Sequence, residues 1–163
     1  MAGTGLELAQ APTASTAARE GEGGGVTGEE LIKGLCNCGK AGVEFPKAKF
    51  PAYSVLCHCL NCRASSGGMY SSFVVMPTKH LTIVGEPKLY KDYETTSGNL
   101  LNRWFCGECG SAVYSVTEKE PEVAYVKGGL FAKGVGLPKP AVETFWRRAE
   151  KWEVSVEGAQ IVD

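Results

Sequence analysis

The sequence lacks a basic excess, a long apolar run and a secretory signal, and each absence excludes a class of protein. Its 163 residues carry a formal net charge of −1, which argues against a general nucleic-acid binder. No apolar stretch approaches the roughly 18–20 residues that a membrane span needs. The chain starts without a basic region followed by an apolar core, so we expect a cytoplasmic protein.

Aromatic residues are missing from the first part of the chain, where Phe45 is the first to occur. Residues 1–28 consist mostly of Ala, Gly, Ser and Thr. Such a segment cannot bury enough apolar surface to offset the entropy lost on ordering, so we predict a flexible arm there. Residues 29–163 then form a single folded domain.

No stretch of this domain keeps a long apolar period of 3.6 residues. Short runs rich in Val, Tyr, Phe and Leu recur between turn signals instead, which predicts a mainly β fold. The predicted strands are Leu31–Cys36, Lys40–Phe45, Tyr53–Cys57, Tyr70–Met76, Leu81–Val84, Lys88–Tyr93, Leu100–Phe105, Ala112–Thr117 and Glu122–Leu130. One short helix is predicted over Leu60–Ser66.

Cysteine is the residue type that the chain has in excess, with seven cysteines against two histidines. An odd number cannot be closed by internal disulfides alone, and a reducing cytosol would not keep them. All seven lie in three groups: Cys36-x-Cys38, Cys57-x-Cys59-x-x-Cys62 and Cys106-x-x-Cys109. Clusters of thiols at these spacings indicate metal binding, and thiolate-rich sites select zinc.

Seven cysteines divide into a closed site of four and an open site of three. The two pairs, Cys36 with Cys38 and Cys106 with Cys109, would form a four-thiolate structural zinc site. The triplet Cys57, Cys59 and Cys62 would hold a second zinc with one coordination position free for water or substrate. Two zinc ions per chain are therefore expected.

Two other assignments remain open at this point: one zinc with three spare cysteines, or a triplet closed by His58 as a purely structural site. His58 lies between two cysteines at i and i+2, so its side chain is expected to point the opposite way. We therefore predict a packing role for His58 rather than ligation.

Three thiolates around Zn²⁺ leave a local charge of −1, which suits capture of a soft thiol better than generation of hydroxide. A small-molecule thiol, above all glutathione or a thiol adduct, is the expected substrate. Arg63 and Arg103 lie next to metal-binding segments and are candidates for binding a substrate carboxylate. Tyr70 follows a glycine turn and is a candidate proton donor in the pocket.

The motifs resemble those of the family of glutathione-dependent formaldehyde-activating enzymes, which includes centromere protein V. The resemblance is carried by three segments and covers about residues 31–157, with a late stretch similar to fungal-type members. The segments are Gly34-Leu-Cys36-Asn-Cys38-Gly39, Cys57-His-Cys59-Leu-Asn-Cys62-Arg63-Ala-Ser-Ser-Gly67 and Arg103-Trp-Phe105-Cys106-Gly-Glu-Cys109-Gly110.

The resemblance implies a zinc-bearing β-tent fold like that of methionine sulfoxide reductase B, with the triplet's zinc at the active site. It also implies a carbon–sulfur lyase activity, the formation or breakdown of S-(hydroxymethyl)glutathione. Two alternatives stay open: the same site used for isomerisation, cyclisation or lyase chemistry on a specialised metabolite, or a non-enzymatic, zinc-stabilised binding module. A homodimer stays open as well, whereas no nucleic-acid or membrane partner is expected.

Overall fold

The computed structural model describes residues 29–163, so the arm predicted over residues 1–28 lies outside the described residues. The mainly β prediction is confirmed: the described part of the chain has eleven strands and one α-helix. The strands are β1 Leu31–Leu35, β2 Gly42–Pro46, β3 Ser54–Cys57, β4 Ser71–Pro77, β5 Thr82–Val84, β6 Lys88–Asp92, β7 Leu101–Phe105, β8 Ala112–Thr117, β9 Val123–Lys127, β10 Pro140–Thr144 and β11 Gln160–Val162. The helix α1 spans Leu60–Ser66, as predicted.

Two strands near the C-terminal end, β10 and β11, were not among the predicted strands. β10 begins with Pro140, and a proline weakens a strand signal although it is tolerated at the first position. β11 has three residues, which is too short for a periodic pattern to be recognised. Both strands pair in parallel, β10 with β3 and β11 with β10, so they form one end of the larger sheet.

The strands form two sheets. The smaller has the order β1-β2-β5, and the larger has the order β11-β10-β3-β4-β9-β8-β7-β6. Apart from the two parallel pairings of β10, neighbouring strands are antiparallel. One face of the larger sheet packs against the smaller sheet, and the other carries the cysteine triplet near α1.

A hydrophobic core joins the smaller sheet to one face of the larger. It includes Ile32, Val43 and Phe45 from β1 and β2, and Val74 and Val126 from β4 and β9. Alternate residues of a strand face opposite sides of its sheet, so this core takes only half of the side chains of the larger sheet.

Strand β9 ends earlier than predicted, and the residues after it enter the core. The predicted strand Glu122–Leu130 stops at Lys127, where a 3-10 turn over Gly128–Phe131 begins. Phe131 is fully buried and packs edge-on against Phe45 and Phe50, with ring centroids 5.9 and 5.4 Å away. The turn thus places the Phe131 ring, just after β9, in contact with Phe45 of the smaller sheet.

The other face of the larger sheet carries a second, smaller cluster. Its buried members are the cysteine triplet Cys57, Cys59 and Cys62 together with Phe73. Among residues 29–163, no helix has the length and apolar character that a membrane crossing requires.

Replacing Phe131 by Ala is expected to lower the free energy of unfolding by about 3–5 kcal/mol, because it leaves a cavity between the two sheets. Chemical denaturation followed by circular dichroism measures the change. Tyr93→Ala is the control, since Tyr93 is 67% exposed and its truncation should change stability by no more than about 0.5 kcal/mol. Equal effects of the two substitutions would contradict the assignment of the core.

Candidate functional site

The four cysteines of the two pairs come together from hairpins in different sheets. Cys36 and Cys38 lie in the turn after β1, which belongs to the smaller sheet. Cys106 and Cys109 lie in the turn between β7 and β8 of the larger sheet. Their sulfur atoms all lie within 4.8 Å of one another, so the predicted group of four exists in the structure.

Both turns use a glycine in the left-handed region to close around the first cysteine of the pair. Gly39 has φ 77° and donates its N–H to the carbonyl of Cys36 at 3.0 Å. Gly110 has φ 73° and donates its N–H to the carbonyl of Cys106 at 2.9 Å. Residues with a side chain rarely adopt this conformation, so the glycines let each turn present its thiols at one point.

The spacing of the four sulfur atoms fits a tetrahedral zinc ion. Cys38 Sγ lies 3.5 Å from Cys36 Sγ and 3.6 Å from Cys106 Sγ. Zinc–sulfur bonds of 2.3 Å at tetrahedral angles separate the sulfur atoms by about 3.8 Å. The donor set, four cysteines without an oxygen ligand, is the one that structural zinc sites use.

The other three cysteines meet where β3 runs into α1. Cys57 ends β3, Cys59 is the residue before the helix, and Cys62 lies in its first turn. Cys59 Sγ accepts a hydrogen bond from the backbone N–H of Cys62 at 3.4 Å, so the sulfur also caps the helix. All three are buried, and their sulfur atoms lie within 4.8 Å of one another.

The electrostatics of the triplet favour a bound cation. Contact with the Cys57 sulfur, and then with Cys62, lowers the pKa of Cys59. The contact with Cys57, and then with Cys59, raises the pKa of Cys62, because three thiolates cannot lie together without a compensating charge. A divalent soft cation such as zinc would supply that charge, so the residues fit the ion.

No fourth ligand completes the triplet: among residues 29–163, no further His, Cys, Asp or Glu joins the group. His58, the alternative ligand, is 1% exposed and makes its contacts elsewhere. The predicted packing role of His58 is thereby confirmed. A metal ion held by this group would keep one coordination position for water or substrate.

His58 connects the triplet to the C-terminal part of the chain. Its Nε2 lies 2.9 Å from a carboxylate oxygen of Glu143, and its Nδ1 lies 3.5 Å from one of Glu153. The ring of Trp146 packs edge-on against it, with centroids 4.9 Å apart. These contacts attach β10 and the segment after it to the loop that carries Cys57 and Cys59.

Phe145 has a strained backbone conformation beside the cysteine triplet. It is a non-glycine residue in the left-handed region, with φ 56°, and its ring packs against the triplet cluster. Such a conformation costs on the order of 1–3 kcal/mol and persists only where the surroundings enforce it. Here the Phe145 N–H donates to the carbonyl of Val162 at 2.7 Å, which holds the turn.

Two buried cations face the triplet side of the larger sheet. Arg103 on β7 donates from Nε to Asp92 on β6 at 2.8 Å and from Nη1 to Ser65 Oγ at 3.4 Å. Ser65 Oγ also accepts from Lys127 Nζ at 3.4 Å and donates to the carbonyl of Cys62 at 3.3 Å. The Ser65 hydroxyl therefore joins both cations to the helix that carries Cys62.

Lys127 is the cation without a carboxylate partner. It is 8% exposed, and within residues 29–163 it forms no salt bridge. Its Nζ donates to Ser71 Oγ at 2.5 Å and lies 4.4 Å from the centre of the Phe73 ring. Burial lowers the pKa of Lys127 from 10.5 to about 8, although negative charge on Cys62 opposes the shift.

A cavity of about 290 Å³ begins beside these cations. Ser65, Arg103 and Lys127 line it, together with Tyr90 and Ser115, which lie opposite Arg103 on the neighbouring strands. The cysteine sulfurs are not part of its wall. They lie next to it, since Ser65 is one helical turn beyond Cys62.

Arg63 and Tyr70, the other two residues predicted for the active site, do not line this cavity. Arg63 donates to the carbonyl of Arg148 at 2.7 Å and forms a salt bridge with Glu150. Tyr70 is 40% exposed and packs edge-on against His58, with ring centroids 5.5 Å apart. The roles of Arg63 and Tyr70 in the reaction stay predictions.

Sequence reasoning missed Lys127 and Asp92. Lys127 ends a strand in which Val123 and Tyr125 share its face. A lysine that continues a row of apolar side chains on one face of a strand could have marked it as a buried cation. Asp92 gave no signal of its own, because its role depends on the pairing of β6 with β7.

Two groups of cysteines that could hold metal ions, in a mainly β domain, define the class of protein, and the comparisons with known proteins agree. The model of the family described as glutathione-dependent formaldehyde-activating enzyme matches residues 31–148. The chain belongs to this family.

Among solved structures, a Rhodobacter sphaeroides protein is similar, with 22% sequence identity and a TM-score of 0.48. The match covers 61% of this chain and 86% of that one. No curated protein matches the chain significantly.

Substitutions in the two cysteine groups should differ in their effects. Cys36→Ser or Cys109→Ser is expected to prevent folding, because a four-thiolate zinc site contributes about 10–16 kcal/mol, as much as the whole stability of a domain. Cys59→Ser should leave a folded but inactive protein. Circular dichroism and zinc counting compare the three variants, and equal unfolding of all three would contradict the division into structural and open sites.

Proposed function

We propose that this protein is a zinc-dependent enzyme of carbon–sulfur lyase type that acts on glutathione or a glutathione or other thiol adduct. The reaction occurs at the triplet Cys57, Cys59 and Cys62, while the group of four cysteines holds a structural zinc. We also propose a cytoplasmic setting, where the seven thiols stay reduced and available to the metal.

One observation carries this proposal: three buried cysteines converge next to a cavity, and residues 29–163 supply no fourth ligand. A closed group would favour a binding module, since a module needs zinc only for stability. An incomplete group beside an open cavity is the arrangement that a substrate can complete. Family membership supports the same conclusion, because the family is described by a glutathione-dependent activity.

Zinc held by three thiolates is a soft cation of low Lewis acidity, which favours a sulfur ligand in its remaining position. In the addition direction, the substrate sulfur forms a bond to a carbonyl carbon. The electron pair of the C=O double bond moves to oxygen, which takes up a proton. Breakdown of the adduct reverses these steps and releases the thiol and the aldehyde.

The charges around the site suit a substrate that carries a carboxylate. Arg103 is held by Asp92 through Nε, so part of its guanidinium remains for a ligand at the cavity wall. Glutathione has two carboxylates and a thiol, so a carboxylate matches Arg103 in sign and the thiol matches a metal ion held by the cysteine triplet.

Two other functions differ from this one in what the site would bind. A specialised metabolite undergoing isomerisation, cyclisation or lyase chemistry would use the same metal and cavity without glutathione. A binding module would bind no small thiol at all. Lys127, a buried cation at the cavity without a carboxylate partner among residues 29–163, favours an enzyme over a module.

Calorimetry with the reduced, zinc-loaded protein tests the thiol ligand. Wild type should release or absorb heat on titration with glutathione, whereas Cys59→Ser should not, because the triplet no longer forms. Zinc counting and circular dichroism confirm that the variant is folded. Absence of heat with wild type would remove glutathione and leave the metabolite and module alternatives.

A second prediction concerns the carboxylates. Wild type should prefer glutathione over its diethyl ester by about tenfold or more, since a charge-assisted hydrogen bond contributes about 1.5–3 kcal/mol. The double variant Asp92→Asn with Arg103→Gln should lose this preference without leaving a buried unpaired charge.

Arg63→Gln serves as the matched arginine control for that measurement. Its guanidinium is engaged by Glu150 and lies outside the cavity, so the ratio of the two affinities should not change. A lost preference in Arg63→Gln, with none in the double variant, would assign the carboxylate to Arg63 instead.

A further inference from the structure

Among residues 29–163, Lys127 has no carboxylate partner for its buried charge, and the negative charges that act on it are those of the cysteine triplet. Removing an ammonium from water is costly unless the charge is paired, so a buried lysine beside a metal-binding group is a candidate functional residue. Arg103, the other buried cation, is compensated by Asp92. Within the part of the chain that the structure describes, Lys127 is held by two hydroxyls and by the Phe73 ring.

The register of the larger sheet places the Lys127 amine beside the triplet. Lys127 lies opposite Phe73, and Cys57 lies opposite Ser71, so all four side chains share one face. The hydrogen bond from Lys127 Nζ to Ser71 Oγ brings the amine toward the strand position that pairs with Cys57. Its second contact, Ser65 Oγ, belongs to the helix that carries Cys62.

The amine is oriented but not saturated. An ammonium has three N–H donors, and Ser71 and Ser65 account for two of them. Among residues 29–163 the third has no hydrogen-bond acceptor, and Lys127 lines the cavity. The geometry therefore suits a group that donates to an oxygen atom forming beside the triplet.

We propose that Lys127 is the general acid and base of the reaction. In the addition direction, its ammonium donates a proton to the carbonyl oxygen while the substrate sulfur bonds to the carbon. The balanced step converts thiolate, aldehyde and lysine ammonium into the hydroxyalkyl thioether and the neutral lysine amine. In the breakdown direction, the amine takes the hydroxyl proton, the C=O double bond forms and the thiolate leaves.

The electrostatic surroundings of Lys127 agree with this role. The charged and titratable groups that face it are Arg103 on β7 and the three cysteines of β3 and α1, while β4 presents Ser71 and Phe73. Burial brings the pKa of Lys127 to about 8, and an acid or base works best when its pKa lies near the operating pH. This inference rests on the proposed thiol–aldehyde function.

The test compares Lys127→Met and Lys127→Arg with wild type in the formation of S-(hydroxymethyl)glutathione from glutathione and formaldehyde, above the spontaneous rate. Arginine keeps the positive charge but does not give up its proton. Both variants should lose about 100-fold or more in kcat while KM changes little. Lys133→Met, at an exposed position, is the control and should retain wild-type activity.

A second readout does not depend on activity. In protein with ¹³C-labelled lysine, the ε-methylene signal that disappears in Lys127→Arg should titrate near pH 8 rather than near 10.5. The wild-type rate of addition should then fall as pH rises through that value, because the ammonium is lost, whereas the rate of breakdown should rise. Zinc content and circular dichroism establish that the variants are folded.

The outcomes separate the two proposals. A wild type without activity on the adduct overturns both the lyase function and the role of Lys127. An active wild type with an active Lys127→Arg overturns the acid–base role alone, since charge would then suffice. Titration of the Lys127 signal near 10.5 also overturns it, whatever the effect of Lys127→Met.

Discussion

The convergence of four sulfur atoms from two sheets is the constraint on which the rest of the structure depends. Cys36 and Cys38 belong to the hairpin of the smaller sheet, whereas Cys106 and Cys109 belong to a hairpin of the larger one. A zinc ion bound by all four would contribute about as much free energy as a small domain has in total. It would fix one end of the stack of sheets, while Phe131 and its aromatic neighbours fill the space between them.

Because the core and the group of four cysteines join the sheets on one face of the larger sheet, its other face can carry the candidate active site. The strands β4 and β9 present apolar residues to the core on one side. On the other side, β3, β4 and β9 present Cys57, Ser71 and Lys127. Because side chains alternate along a strand, one rigid sheet supports both a packed interior and a polar site. The site therefore acquires its geometry from strands that the core already holds in place.

Residues of β10 and of the segment after it pack against His58 and the cysteine triplet. Glu143 forms a hydrogen bond with the buried ring of His58, Glu153 lies 3.5 Å from its other nitrogen, and the strained Phe145 packs against the cysteine triplet. None of these residues ligates in the triplet, yet they bury it and hold the loop that carries Cys57 and Cys59. Exclusion of water strengthens the charge interactions among the thiolates, Arg103 and Lys127.

The sequence by itself determined the mainly β class, the helix Leu60–Ser66 and the grouping of the seven cysteines. These features depend on local patterns: strand periodicity, turn residues, and thiol spacings within a few positions of each other. Counting also favoured the four-plus-three division, and strand alternation made His58 an unfavourable ligand, although neither alternative was excluded by the sequence.

Only the tertiary structure decided which polar residues surround the triplet. Lys127 is 65 positions beyond Cys62 in the chain, and its meeting with Ser71 and Ser65 depends on the pairing of β9 with β4. Arg63 is next to Cys62 in sequence but turns away to Glu150, because successive residues of a helix point in different directions. Nearness along the chain predicts metal ligands well, since their spacing is local. It predicts the groups around a substrate poorly, since strand pairing brings those from distant segments.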